Sequence, residues 1–393
     1  FLFPRTYKRT GVPGRTIGGV VIKYNSRGRI DRSFGRRGAA WMPAGRVPVT
    51  LVELDDGSVV LATGKRVKNY LVSASSLIRL RRDGRRDSGF GIRGEIKEGR
   101  RSFVMDSNLN LRITLLTAGR FAVSFNFTRG GVDGERLVVY NSRGKPDSGF
   151  GEKGHVDFGF ELDDVAADSR GRILLSRTGD RLHVFRLNFD GSRDQTWGED
   201  GLVTSPALDP RKWVPKGDEL WDMVTLKGLE KETGDAIFRT ANLTIRPLGR
   251  EVAISFEASL DSGSDVPKVT QVWAQRLDQH GNVIANWGKN GRYHVFHAVA
   301  YIQDADDFTD YRWSIEVLPD GRFLRNEYTY DSYFGETLSE GSYIQSNTGR
   351  PGGAGACMLR LPRRFADYGH VASRRGSRLY LTGYRRSQLR LIR

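Results

Sequence analysis

One signature recurs along this chain, and it constrains the fold more than any other feature. It reads Gly-x-x-Asp-x-x-Phe-Gly-x-x-Gly and first occurs at Gly28–Gly38. Later copies begin at Gly84, Gly144, Gly191 and Gly281, and an eroded copy covers 365–369. The fourth and fifth copies carry Trp instead of Phe, and the fifth has Ile284 in place of the Asp. Matches at several fixed positions indicate an internal repeat, whose units must stack on one another to bury their apolar faces.

A short apolar strand precedes each signature, and a Gly turn followed by another strand precedes that one. The second strand of this pair carries a cation at one position in six of seven cases: Lys23, Arg79, Arg186, Arg276, Arg360 and Arg390, with Val139 as the exception. Apolar and β-branched residues bounded by Asn, Asp and Gly are typical of strands joined by tight turns. The unit is therefore predicted to be a small antiparallel sheet.

The repeat predicts an all-β fold, a β-propeller of about seven blades, with six blades as the alternative. Units of four strands at this spacing match propeller blades, which cover one another's faces when they stack in a ring. No heptad pattern or long helical period competes with this interpretation. The whole chain, 1–393, is predicted to be a single propeller domain with non-repeat insertions near 202–247 and 300–345.

The repeated side chains are predicted to have structural roles. The glycines would permit positive φ or close backbone approach, and the neighbouring aromatic ring would seal the next blade. Where the Asp is present, it follows the strand cation by eight residues, which predicts an ion pair between strand and turn. The residues concerned are Arg79, Asp87, Phe90 and Gly91 in one copy, and Arg186, Asp194, Trp197 and Gly198 in another. The alternative is a ring of cations facing a central channel, with Arg276 the likeliest free cation.

The runs Arg79–Gly94 and Arg186–Gly201 resemble the delta-60 repeat of large exported bacterial proteins. The resemblance extends over nearly the whole chain and weakens in residues 205–270 and 300–370. It implies a propeller fold and an exported setting. It implies no catalytic residues, because that family has no established ones.

The two predicted insertions are rich in aromatic residues and are the candidate binding surfaces. The residues proposed to contact a partner are Trp213, Trp221, Trp313, Tyr328, Tyr330, Tyr333 and Phe334. Tyr and Trp dominate binding hot spots, and propeller loops concentrate function. The alternative is that these segments pack on the ring as additional cover.

Charge and motif content narrow the possible partners. The net charge of +16 and pI near 10 favour anionic partners such as acidic glycans, wall polymers or nucleic acid. The single Cys357 excludes an intrachain disulfide and a cysteine-based metal site. No phosphate loop or metal motif is recognisable, so neither a cofactor nor a metal is predicted. No apolar run is long enough to span a membrane, and the start at Phe1 favours a processed, exported protein.

Two functional hypotheses follow from this sequence. The first is a non-catalytic binding or assembly module at a bacterial surface, which contacts a protein or glycan through rim loops and assembles with other subunits. The alternative is a propeller-type carbohydrate-active enzyme, either a glycoside hydrolase or a lyase. Nucleic acid is disfavoured because the sequence lacks strips of interleaved aromatic residues and arginines. No catalytic residues can be selected from the sequence.

Overall fold

The structure is a computed structural model in which strands account for nearly all regular elements. It describes residues 20–23, 30–43, 46–67, 70–97, 111–129, 132–179, 181–205, 237–261, 268–288, 291–300, 309–317, 323–331, 336–345, 357–359, 370–375, 378–385 and 388–392. Within these ranges the strands form seven sheets, and the one helical element is a single 3-10 turn at Thr117–Gly119.

The first four sheets contain fourteen strands in chain order. Sheet 1 consists of β1 (Val20–Ile22) and β2 (Ala39–Trp41). Sheet 2 consists of β3 (Arg46–Glu53), β4 (Val59–Val67), β5 (Tyr70–Leu80) and β6 (Glu95–Lys97). Sheet 3 consists of β7 (Arg112–Leu115), β8 (Phe121–Arg129), β9 (Val132–Tyr140) and β10 (His155–Phe158). Sheet 4 consists of β11 (Asp164–Ala167), β12 (Ile173–Thr178), β13 (Leu182–Leu187) and β14 (Leu202–Thr204).

The remaining three sheets continue the same pattern. Sheet 5 consists of β15 (Ile237–Leu248), β16 (Glu251–Asp261), β17 (Lys268–Leu277) and β18 (Arg292–Ala300). Sheet 6 consists of β19 (Thr309–Val317), β20 (Phe323–Asp331), β21 (Glu336–Gln345) and β22 (Cys357–Leu359). Sheet 7 consists of β23 (His370–Arg375), β24 (Arg378–Arg385) and β25 (Gln388–Ile392).

Each sheet is an antiparallel meander, so the chain order defines its two ends. The first strand of a sheet begins at one end, which we call the start face. The turn between the third and fourth strands lies at the other end, which we call the turn face, and it contains the repeated Gly-Asp-Phe-Gly signature. The fourth strand therefore runs back to the start face, and the connection to the next sheet begins there.

Sheets 1 to 5 stack face to face, and sheets 2, 3 and 4 are buried on both faces. In β12, Ile173 and Leu175 pack with residues of sheet 3, whereas Leu174 between them packs with residues of sheet 5. This follows from the alternation of side chains along a strand, and it explains why the strand is continuously apolar. The first strands of neighbouring sheets contact each other along the series β3, β7, β11, β15 and β19. Stacked meanders with adjacent first strands are the arrangement of propeller blades.

The predicted insertion at 300–345 is corrected by the structure. Three of its segments form β19, β20 and β21, and with β22 they make a sheet of the same strand order as sheets 2 to 5. The stretch is therefore a repeat unit whose signature has diverged. The predicted insertion at 202–247 is also too wide, because its ends belong to β14 and β15. Residues 206–236 lie outside the described part of the chain.

The all-β class predicted from the repeat is confirmed, and the described sheets have a propeller-like arrangement. The sheets at the two ends of the described chain contain two and three strands, whereas the five between them contain four. Closure into a ring and the number of blades stay predictions. No helix among the described residues is long and apolar enough to cross a bilayer.

Candidate functional site

The turn face is built from the repeated aromatic-Gly pair. Phe34, Phe90, Phe150 and Trp197 are completely buried, and Trp287 is nearly so. The glycine after each ring donates its N–H to a carbonyl in the turn of the next sheet: Gly35 to Asp83, Gly91 to Arg143, Gly151 to Asp190 and Gly198 to His280. These four bonds are 2.7 to 2.9 Å long. The signature thus fastens each sheet to its successor.

The first glycine of each later signature lies against the turn of the preceding sheet. At Gly84, φ is +79° and an added Cβ would lie 2.5 Å from the backbone nitrogen of Gly35. At Gly144, an added Cβ would lie 2.8 Å from the ring of Phe90. Only glycine allows both this backbone conformation and this close approach.

The strand cation lies over the aromatic ring and joins the two sheets. Arg186 is 98% buried, its Nε is 2.8 Å from Asp194 Oδ2, and its guanidinium lies 4.3 Å from the Trp197 ring. Its Nη1 also donates to the carbonyl of Gln279 in the next turn, at 3.0 Å. Arg79 likewise joins two turns: its Nη1 is 3.6 Å from Asp87 Oδ2 and donates to Ser142 O in the next turn at 2.8 Å, while its Nη2 binds Asp56 of the same sheet. The ion pair expected from the eight-residue spacing is present in both copies.

Hydrogen bonds and charge keep Asp194 ionised. Burial alone would raise the pKa of Asp194. The hydrogen bonds from Thr196 and the charge and hydrogen bond of Arg186 outweigh that effect, so the pKa lies below its ordinary value of 3.8. In sheet 3, where the strand position is occupied by Val139, Arg120 replaces the cation and its Nη1 is 2.9 Å from Asp147 Oδ2. The ion pair is thus retained from a different strand.

The hypothesis of a free cation in the fifth copy is wrong. Ile284 replaces the aspartate there, but Arg276 Nη1 is 3.2 Å from Glu251 Oε2 and the guanidinium lies 5.2 Å from the Trp287 ring. Arg79 and Arg186 donate to the turn of the next sheet, whereas Arg276 contacts Glu251 and Trp287 of its own sheet. Each of these three described strand cations is thus paired with a carboxylate, which favours the ion-pair interpretation over a ring of free cations.

The predicted aromatic contact residues are only partly placed. Trp213, Trp221, Tyr333 and Phe334 lie outside the described residues. Trp313 lies in β19 opposite Glu327, and Tyr328 and Tyr330 lie in β20 opposite Arg312 and Asp310. These three residues therefore belong to the regular strands of sheet 6 rather than to a projecting loop. Their role as contact residues stays a prediction.

A second group of polar residues lies at the start face, between sheets 3 and 4. We call Arg112, Glu135, Asp163 and Asp164 the Arg112 cluster. Arg112 opens β7, Glu135 lies in β9, and the two aspartates end the connection from β10 and open β11. The positive charge of Arg112 acts on all three carboxyl groups. The order of the strands therefore gathers four charged residues at one junction.

Two of the three carboxyl groups use both oxygens to hold the backbone or Arg112. The fully buried Glu135 accepts from Leu162 N at 2.6 Å and from Arg112 Nη1 at 3.3 Å. Asp164 accepts from Val165 N at 2.8 Å and, across to sheet 5, from Ile245 N at 2.9 Å. These carboxylates replace missing ladder partners where the chain passes from one sheet to the next.

Asp163 differs from its neighbours because a single residue, Thr178, supplies its hydrogen bonds within the described chain. Its Oδ2 accepts from Thr178 N, and the carboxylate also accepts from the Thr178 side chain. The side chain is partly exposed. Arg112 is also partly exposed, and its one hydrogen bond within the described chain is to Glu135. A partly exposed carboxylate and a partly exposed guanidinium therefore occur in the same cluster.

Burial sets the protonation of this cluster. Desolvation raises the pKa of Glu135, Asp163 and Asp164 above their ordinary values, and the hydrogen bonds and Arg112 offset it only in part. A carboxylate with a raised pKa is a stronger base than an exposed one. The arrangement can bind an anionic group at Arg112 and accept a proton at Asp163.

The Arg112 cluster is not predictable from the sequence. Its one local signal is the acid pair Asp163-Asp164 directly before a short apolar strand, which is common on protein surfaces. Arg112 and Glu135 are distant in sequence and become neighbours only through the stacking of sheets 3 and 4. No group of three or more side chains suited to hold a metal ion occurs among the described residues.

Comparison with known proteins gives similar folds at low identity. No family model matches the chain, and no curated protein matches it in sequence. An alpha-L-arabinanase from Cellvibrio cellulosa is 13% identical with a TM-score of 0.33, over 75% of this chain and 90% of that one. The GH43 endo-arabinanase from Bacillus licheniformis is 14% identical with a TM-score of 0.33, over 77% and 95%. A polysaccharide lyase is 8% identical with a TM-score of 0.45, over 94% and 85%. Likeness at this level assigns no activity to this chain.

Proposed function

We propose that this protein is a carbohydrate-active enzyme of the lyase type that cleaves an acidic polysaccharide at the start face. The observation that supports the proposal is a partly exposed carboxylate with a raised pKa, Asp163, within the field of a partly exposed cation, Arg112, whose one hydrogen bond in the described part of the chain is to Glu135. A uronate sugar carries a carboxylate beside an acidic C–H bond, so it needs one base and one cation. The Arg112 cluster offers one of each.

The reaction would be a β-elimination. Arg112 binds the sugar carboxylate and neutralises its charge, which acidifies the adjacent C–H bond. The Asp163 carboxylate takes that proton, and the electron pair forms a carbon–carbon double bond while the bond to the departing sugar oxygen breaks. The proton then passes to the departing oxygen, directly or through water. No oxidant or reductant is required.

Hydrolysis is less well supported by the same geometry. A glycoside hydrolase needs two carboxyl groups that face the sugar from opposite sides. Glu135 is fully buried, and Asp164 uses both oxygens to hold the backbone, so neither can act as the second group. The elimination needs a single carboxylate and is therefore the preferred mechanism.

The proposal is tested with polygalacturonate as substrate, by following the ultraviolet absorbance of the unsaturated uronate product. We expect the rate to increase with pH as Asp163 loses its proton, through a pKa above the ordinary value of 3.8. The Asp163→Asn variant should fold normally, since Oδ2 can still accept from Thr178, and should lose about 100-fold or more in kcat.

A matched variant makes this test specific. Asp164→Asn removes charge from the adjacent residue, but it should lower stability rather than act on the chemical step, because Asp164 links sheets 4 and 5. If no product forms from polygalacturonate, alginate or hyaluronate, or if Asp163→Asn keeps full activity, the enzyme proposal is wrong.

A non-catalytic binding module in an exported protein is the second candidate. It is favoured by the fact that most oxygens of the Arg112 cluster already serve the backbone, which is a structural use. In that case the wild-type protein would retain the polysaccharides without altering their chain length. Size-exclusion chromatography of the polymer after incubation separates the two functions.

A further inference from the structure

The turn face carries a row of exposed cations at one repeated position. The position is the second of the two residues between the aromatic-Gly pair and the last glycine of the signature. It is occupied by Arg37 in sheet 1, Arg93 in sheet 2 and Lys153 in sheet 3, and all three side chains are exposed. We call these three residues the cation row.

The backbone at these positions is in the left-handed region, where glycine and asparagine are favoured. The φ angles are 56°, 55° and 52° for Arg37, Arg93 and Lys153. A residue with a long side chain costs about 1 kcal/mol or more in this conformation. Long cationic side chains in three successive turns therefore oppose the local preference of the backbone, so the stability of the fold does not explain them.

The cation row has no partner within the described chain. Its side chains form no ion pair or hydrogen bond with described residues. The aspartates of the same turns are already paired, as Asp31 with Lys23 at 4.0 Å, Asp87 with Arg79 at 3.6 Å and Asp147 with Arg120 at 2.9 Å. The positive charge of the row is therefore directed to solvent.

The row is continuous over three sheets and ends at the fourth. The turns of sheets 1, 2 and 3 contact each other through the bonds from Gly35 to Asp83 and from Gly91 to Arg143. Further exposed cations lie in the same turns, namely Arg32, Arg36, Arg82, Arg143 and Lys145. In sheet 4 the equivalent position is Asp200, with φ 50°, and Asp190 and Glu199 are exposed beside it. At the repeated position the charge thus changes from positive in sheet 3 to negative in sheet 4, although Glu152 and Arg193 are also exposed in these two turns.

We infer that the cation row binds an acidic polysaccharide that lies across the turns of sheets 1 to 3. A linear polymer with repeated carboxylate or sulfate groups fits a row of cations spaced by one sheet. The side chain of Ile92 is 83% exposed next to Arg93 and offers an apolar contact for a sugar ring. Single-stranded nucleic acid fits less well, because stacking requires exposed rings and Phe34, Phe90 and Phe150 are fully buried.

This site is separate from the Arg112 cluster, since the two lie at opposite ends of the strands. The ligand inferred for the cation row, an acidic polysaccharide, is of the same class as the substrate of the proposed function. The inference rests on the proposed function only in this choice of ligand. The cation row would retain long polymer near the enzyme, whereas a short oligosaccharide would reach the start face without it. The two proposals can therefore fail independently.

The test replaces the three cations by the residue that the backbone prefers. The triple variant R37N/R93N/K153N removes the charge and relieves the left-handed strain, so its melting temperature should equal or exceed that of the wild type. Its affinity for long polygalacturonate at low salt should decrease about tenfold or more, and the salt dependence of binding should become weaker, because fewer counterions are released. Cleavage of a short oligogalacturonate should be unchanged.

Asp200→Asn is the matched control, because it makes the same backbone change at the same repeat position in sheet 4. It removes a negative charge and should leave affinity unchanged or higher. Equal binding of polygalacturonate by the triple variant and the wild type would overturn the inference. So would tighter binding of a duplex DNA than of polygalacturonate at the same concentration of charge. If the triple variant loses binding of long polygalacturonate while Asp163→Asn keeps it, the cation row is the binding site even if the lyase proposal is wrong.

Discussion

Individual arginines in this chain differ in role according to where the repeat places them. Arg186 is buried over Trp197 and joins two sheets. Arg93, in the signature of sheet 2, is exposed and forms no ion pair with the residues that the structure describes. The net charge of +16 is therefore the sum of a structural set and a solvent-directed set. Composition alone cannot separate them, because both sets contain the same residue type.

The ion pair in the turn was predictable from the sequence, and its partners across the junction were not. The eight-residue spacing from Arg186 to Asp194 recurs within the chain and defines a local contact. The contacts of Arg186 with Gln279 and of Arg79 with Ser142 span 93 and 63 residues and have no local pattern. In sheet 3, Asp147 pairs with Arg120 instead of a strand cation, and no repeated spacing in the sequence predicts this pair.

Replacing Arg186 by Ala should destabilise the protein by about 3 kcal/mol, because it leaves the buried Asp194 with Arg172 as its remaining cation and removes the contact with Trp197. Chemical denaturation at neutral pH measures the effect. The exposed Arg181, replaced by Ala in the same sheet, is the control and should change stability by less than about 0.5 kcal/mol. Equal stability of the two variants would contradict a structural role for the strand cation.

At the level of elements, the sequence predicted strands and turns well wherever the signature is intact. Sheets 2 to 5 occur where the spacing of the glycines and the aromatic residue places them. The sequence predicts an insertion at 300–345 because the stretch exceeds the length of the repeat unit and is rich in aromatic and acidic residues, whereas the structure forms sheet 6 there. Its strands nevertheless pair in the usual order, since backbone hydrogen bonds and alternating side chains do not require the signature.

The junction between turns provides a direct test at this scale. Gly84→Ala should destabilise the protein by several kcal/mol, because the new Cβ would lie 2.5 Å from the nitrogen of Gly35, which donates to Asp83. Gly249→Ala is the control: φ is +66°, but nothing lies within 4 Å of the added Cβ. It should cost only the left-handed strain of about 1 kcal/mol. Similar losses in both variants would show that the close approach of turns is unimportant.

For the molecule as a whole, the two ends of the stacked sheets have different uses. The turn face contains the repeated residues and is largely determined by the need to join sheets. The start face receives the connections between sheets, which differ in length and sequence, and it contains the Arg112 cluster. A repeat shows the residues that its copies share, so it predicts the stack of sheets. It cannot predict a site that occurs once, such as Arg112 with Asp163.

The most direct test of the proposed site is a crystal structure of the Asp163→Asn variant with trigalacturonate. This variant keeps the shape of the side chain and removes the base, so the bound sugar should not be cleaved. We expect a sugar carboxylate within hydrogen-bond distance of the Arg112 guanidinium. The C–H bond next to that carboxylate should be directed at the side chain of position 163. A trisaccharide bound elsewhere, with the Arg112 cluster covered by other residues of the chain, would contradict it.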